Sequence, residues 1–124
     1  MGDKSLIIDE PKDVGGDGKG PSPYETMLAA LGACTSMTML MYARRKGWEI
    51  DNIEIELTHE KIHAEDCKTC ETKYGRLDKI TRDIKIRGNL SQEQMNMLLE
   101  IAQKCPVHRT LTNENVITDN IELV

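Results

Sequence analysis

The sequence predicts a single α+β domain, residues 1–124, built around one long apolar helix. Three observations predict it. The run from Thr26 to Ala43 holds no charged side chain. From Ile53 the pattern changes to strict alternation, with Ile53, Ile55 and Leu57 on one face and Glu54, Glu56 and Thr58 on the other, the period of a half-buried strand. After a polar excursion and a second strand, helical spacing returns at Met95, Leu98, Leu99 and Ala102. A chain of 124 residues suits one core, and no repeat or linker divides it.

The elements follow in order. Leu6–Ile8 reads as a short strand. Residues 13–22, DVGGDGKGPS, hold four glycines and a proline and form a loop with special backbone angles. Ser22 is placed to cap a helix that has Pro23 in its first turn and Glu25 near its positive end. That helix runs to about Lys46, with Arg44, Arg45 and Lys46 against its negative end and Gly47 as the stop. Trp48 anchors the corner into the first strand. A second strand reads around Ile80, Ile84 and Ile86 and ends at Gly88, leaving HAEDCKTCETKYGR between the two as a hairpin end. Ser91 with Gln94 forms a capping box for the second helix, which is expected to carry Cys105 and to stop at Pro106. VITDNIEL, residues 116–123, closes the chain as a strand. The expected order is strand, helix, strand, strand, helix, strand.

Composition narrows the function classes. Acidic and basic residues are mixed along the chain and sum to −5, so no cationic stripe offers itself to a phosphate backbone and no nucleic-acid partner is expected. With no Phe and 3% aromatics, the core must be made of Ile, Leu, Met and Ala. About 18 uncharged residues is the lower end of what spans a bilayer, but Thr26, Gly32, Thr35, Ser36 and Thr38 interrupt the run, and a helix buried on most sides of a protein core is the better reading. No membrane partner is expected. The start, MGDKSLIIDE, has neither the basic nor the apolar region of a secretory signal, so a cytoplasmic location with reduced thiols is expected. Ala29, Ala30, Gly32 and Ala33 permit close approach, and a homodimer is the simplest cover for such a helix in a short chain. Met37, Met39 and Met41 read as core or dimer packing.

Four cysteines remain. Cys34 and Cys105 lie in helices, where free cysteine commonly packs as a small hydrophobe. The functional alternative is a redox couple, which requires a cation to lower a thiol pKa. Cys67 and Cys70 lie in the polar excursion behind His59 and His63. His-x3-His-x3-Cys-x2-Cys offers four residues that zinc accepts, a redox disulfide is a second option, and solvated turn thiols are the plainest reading. Four of these side chains could hold a metal, but no metal site and no cofactor is assigned.

GKGPSPYETMLAALGACTSMTMLMYARRKGW, followed later by LLEIAQKCPVHRTL, resembles the OsmC/Ohr family of thiol-dependent peroxidases. The resemblance covers nearly the whole chain from Gly15, and HEKIHAEDCKTCET is similar to an OsmC-like subgroup whose members sometimes occur fused to hydrolase domains. It implies an intertwined α+β homodimer with a buried central helix. It also implies that Cys34 is the nucleophile toward an organic or lipid hydroperoxide and that Cys105 resolves the sulfenic acid to a disulfide, which a dithiol reduces. Tyr24, Met27 and Leu31 would then line an apolar substrate pocket, and Glu25 would be the catalytic acid. A non-catalytic dimerisation or ligand-binding module, or a metal-binding protein through Cys67 and Cys70, are the alternatives.

The chain departs from the family pattern twice. Tyr24 stands where hydroperoxide reductases of the family place glutamate, with Glu25 one step later, and no Arg precedes Arg44. Nine helical residues separate Glu25 from Cys34, about 13 Å, so Glu25 could serve that thiol only across a dimer interface. For the missing cation the sequence offers Arg82, which alternation puts on the same strand face as Ile80, Ile84 and Ile86. A structural ion pair is the plainer reading of it, and Arg109 is a weaker candidate. His108, just after Cys105, either lowers that thiol's pKa or caps the end of the second helix, and the cap is the plainer reading.

Overall fold

The computed structural model describes residues 2–68, 70, 71 and 75–124; positions 69 and 72–74 of the polar excursion lie outside the described residues. Its elements are helix α1 (Pro23–Lys46), strands β1 (Ile50–His63) and β2 (Arg76–Gly88), and helices α2 (Gln92–Ala102) and α3 (Pro106–Thr112). The two strands pair antiparallel, with Ile55 opposite Ile84 and Leu57 opposite Arg82. The α+β class stands, with a long central helix laid across a two-stranded sheet.

Each end of α1 is closed as its residues require. The Ser22 hydroxyl accepts the Glu25 N–H at 3.2 Å while the Glu25 carboxylate accepts the Ser22 N–H at 2.8 Å, a reciprocal cap of about 1 kcal/mol. Gly47 terminates the helix at φ 72°, where any side chain is strained. Before the helix, the Asp9 carboxylate accepts N–H bonds from Glu10, Asp17 and Lys19 at 2.9, 3.0 and 3.2 Å. These donors hold its carboxyl below the usual range. They also gather the glycine-rich loop, in which Gly15 takes φ 95° and Gly18 φ 66°.

The core lies where α1 meets α2 and the sheet. Met39, Ala43, Leu98 and Ala102 are fully buried, with Tyr42, Trp48, Ile53, Ile84 and Ile86 packed around them. Burial of Met39 and Leu98 stabilises the fold by about 1.5–3 kcal/mol each. Gly32 lets the helix touch the sheet, since a Cβ there would lie 2.8 Å from Leu57 Cδ1. Trp48 holds the corner as expected, edge-on to Tyr42 at 5.5 Å.

Four expectations are corrected. Leu6–Ile8 and residues 116–123 form no strand. A lone two-stranded sheet in one chain gives them no edge that they reach, and Val116, Ile117 and Ile121 stay more than 80% exposed. The second helix ends at Ala102, not at Cys105. Pro106 disfavours helical backbone at the residue before it, so Cys105 is extended (φ −58°, ψ 133°) and the proline opens α3 in place of ending α2. Within one chain α1 is not buried on most sides: Leu31, Gly32, Thr35, Met39 and Ala43 form one covered stripe, while Ala29, Ala33, Met37 and Met41 are exposed. By length and composition α1 is the one helix among the described residues that could cross a membrane. The methionine cluster is thereby divided, Met39 inward and its neighbours outward.

Candidate active site

Cys34 and Cys105 are brought together. Cys34 comes from the middle of α1 and is partly buried, whereas Cys105 is fully buried at the N-cap of α3. The bend that Pro106 imposes turns the Cys105 thiol back to accept the His108 N–H at 3.3 Å. Thr35, one residue from Cys34 and fully buried, completes the cluster: its hydroxyl donates to the Leu31 carbonyl at 2.7 Å and stands 4.0 Å from Cys105 Sγ.

The two thiols are unequal. Burial pushes the Cys34 thiol up, and the adjoining Cys105, which repels a second negative charge, acts in the same direction; the Val107 N–H and Thr38 hydroxyl oppose the rise. Burial is also the largest influence on Cys105, but its thiol is lowered, because the Cys34 thiol, the His108 and Val107 N–H groups and the Thr35 hydroxyl together outweigh it. The pair titrates as a unit. Its first proton leaves from the Cys105 end, and Cys34 keeps its own and donates toward Cys105.

A cation from the sheet reaches Thr35, the neighbour of this pair. Arg82 faces the helices because alternation on β2 sets it opposite Leu57. Its Nη1 donates to Thr35 Oγ1 at 2.9 Å and to the Ala102 carbonyl at 3.1 Å. Among the described residues no carboxylate lies in salt-bridge contact with Arg82, so the plainer reading of an ion pair is replaced by a guanidinium tied to Thr35, the hydroxyl that stands 4.0 Å from Cys105 Sγ. Arg109 stays exposed on α3. His108 caps no helix end; it lies in the first turn of α3. Burial and the Arg82 charge hold its imidazole below the ordinary histidine value, so it is neutral at pH 7.

Leu31, Asp78, Ile80, Arg82, His108, Leu111 and Thr112 line a cavity of about 250 Å³; neither thiol is in its wall, and His108, whose backbone N–H holds Cys105, and Arg82, bonded to Thr35, connect it to the pair. Of the expected pocket residues Leu31 is in this wall. Tyr24 lies further out, stacked on His59 with ring centroids 4.8 Å apart; His59 Nε2 in turn meets Asp78 at 2.9 Å, and Lys61 holds the same oxygen at 2.9 Å. Met27 is partly buried and lines none of the described cavities. Glu25 is occupied by the Ser22 cap and does not meet the thiols within one chain.

The second cysteine pair is joined. Cys67 and Cys70 form a disulfide, which corrects the reading of solvated thiols. His59 and His63 do not join them in a metal site: four residues along a strand is about 13 Å, and among the described residues no group of three or more His, Cys, Asp or Glu is gathered to hold an ion. Sequence reasoning missed Thr35, whose only signal was a hydroxyl inside an apolar helix stripe. It also missed the cap at Cys105, which the Cys-Pro pair announces.

Comparison with known proteins gives a family and a fold. The family model described as OsmC-like protein matches residues 16–119. An OsmC-like protein from Mycoplasma pneumoniae is similar at 23% identity and a TM-score of 0.66, over 88% of this chain and 73% of that one. An organic hydroperoxide resistance protein OsmC from Legionella pneumophila is similar at 20% identity and a TM-score of 0.63, over 90% and 76%. A Psychrobacter arcticus structure superposes with a TM-score of 0.69 at 20% identity, over 89% and 74%. No curated protein matches.

Proposed function

This chain belongs to the OsmC-like family, and on that premise we propose that it is a thiol-dependent peroxidase that reduces organic hydroperoxides. The observation that carries the reading is the meeting of Cys34 and Cys105, with the partly buried Arg82 bonded to Thr35 next to Cys105. The Legionella relative's name, organic hydroperoxide resistance protein, supports the same chemistry.

The proton of Cys34 passes to Cys105, and the Cys34 thiolate attacks the terminal peroxide oxygen. An S–O bond forms, the O–O bond breaks, and the alkoxide leaves with a proton regained from Cys105. Cys105, again a thiolate, attacks the sulfenic sulfur; the S–S bond forms, and the departing hydroxide takes a proton from solvent to become water. A dithiol then reduces the disulfide by exchange. Cys34 is the nucleophile because it is the more accessible thiol, and Cys105 is base and resolver. Arg82 supplies the positive charge that favours the anion and the developing alkoxide, taking from β2 the part that the N-terminal segment, without an Arg, does not supply. Leu31 supplies apolar wall for the organic group.

A homodimer completes this reading. The exposed Ala29, Ala33, Met37 and Met41 face and the unpaired apolar ends of the chain suit a second copy, and Glu25 would reach a thiol only from that partner. The test is stopped-flow oxidation of the reduced protein. Oxidation at least about tenfold faster by cumene hydroperoxide than by hydrogen peroxide supports an apolar-walled site; faster oxidation by hydrogen peroxide refutes it.

A further inference from the structure

We infer that His108 is the substrate-positioning residue of this site, its Nδ1 accepting the hydrogen bond of the hydroperoxide O–H. The inference rests on the peroxidase reading and adds what selects a hydroperoxide. Among the described residues His108 Nδ1 is the buried side-chain nitrogen or oxygen left without a hydrogen-bond partner. His108 lines the cavity, while its backbone N–H already holds the Cys105 sulfur. An unfilled buried acceptor is costly until a donor arrives.

The chemistry of the wall says which donor. Arg82 brings only N–H donors and Leu31, Ile80 and Leu111 are apolar, so a ligand needs an acceptor for Arg82, one donor for His108 and an apolar body. A hydroperoxide has these: the terminal O–H donates to Nδ1, and the inner oxygen, which becomes the alkoxide, accepts from Arg82. Rotation about the Cβ–Cγ bond of His108 is soft, so the lone pair meets the ligand without backbone movement.

The acceptor exists only while the imidazole is neutral. Facing it are Arg82 and Asp78 from β2, Cys105 at its own cap, and the Gln103 carbonyl, which favours the protonated ring but is outweighed by burial and Arg82; Arg109 is its exposed neighbour. Asp78 keeps its charge through the weakly acidic range, because Lys61 and His59 lower its pKa, so the acid limb belongs to His108.

The experiment is steady-state reduction of cumene hydroperoxide by wild type, His108→Leu and His108→Asn, with dithiothreitol as reductant. KM for His108→Leu is expected to rise about tenfold, and Asn, which retains an acceptor oxygen, to recover it to within about threefold. Wild-type KM should rise as pH falls below 6.5, and neither variant should show that limb. Iodoacetamide labelling of the reduced thiols, which needs no peroxide, verifies that the cysteine pair is intact in each variant. A His108→Leu KM within about twofold of wild type, with labelling unchanged, overturns this inference and leaves the peroxidase reading standing. Wild-type protein inert to the peroxide overturns both.

Discussion

Two pairs of cysteines in one small domain are in opposite states. Cys67 and Cys70 are three positions apart at the end of the hairpin, and they are joined. Cys34 and Cys105 come from α1 and from the cap of α3, and they are free, close and unequal in acidity. The first pair needs only a short turn to meet. The second meets only when α1, α2 and the sheet have packed, because Arg82 of β2 ties Thr35 of α1 to the Ala102 carbonyl of α2, and Thr35 stands 4.0 Å from Cys105. A local disulfide thus reports the segment, and a non-local thiol pair reports the whole fold.

That contrast is open to attack by mutation. Cys34→Ser should lower peroxide reduction at least about 10³-fold, as loss of a covalent nucleophile does, while the Cys67–Cys70 bond still forms; stopped-flow peroxide consumption and peptide mapping read the two outcomes. Leu98→Ala should destabilise the fold by about 2–5 kcal/mol, measured by urea denaturation. It should also raise alkylation of Cys105 while leaving the hairpin disulfide untouched. Arg82→Met should slow oxidation by about 10–100-fold by removing the cation bonded to Thr35, with the melting temperature followed in parallel. Replacing both Cys67 and Cys70 by Ser should cost about 1–2 kcal/mol of stability and leave the rate constant for oxidation within about twofold; a larger loss of rate would join the two pairs into one system.

The smallest effect is on pH. His108 has a folded pKa below its unfolded value, so the folded state binds protons less readily. Its contribution is fully present above about pH 6.5 and is lost as pH falls through the depressed folded value. Urea midpoints measured from pH 7.5 to 5 should fall less for His108→Asn than for wild type.

The legible parts of the sequence were those governed by local rules. The caps at Ser22 and Ser91, the stop at Gly47, and the strand alternation that turns Arg82 toward the helices are all decided within a few residues. Cys105 was misplaced because helical spacing carried Ala102 into Cys105 smoothly, while the steric demand of Pro106 on its predecessor outweighed the pattern. The terminal strands were misjudged for another reason: Val116 and Ile117 have strand composition, but a strand exists only against a partner edge. Thr35 and His108 gained their importance only when β2, α1 and α3 converged, and no spacing encodes that meeting.

The central claim is that Cys34 and Cys105 react as one unit. Its most direct test is peptide-mapping mass spectrometry of fully reduced, desalted protein after one equivalent of cumene hydroperoxide. A Cys34–Cys105 disulfide formed within seconds, ahead of any Cys67–Cys70 bond, is the predicted result. Cys34 and Cys105 both recovered as thiols, with or without a hairpin disulfide, would contradict it.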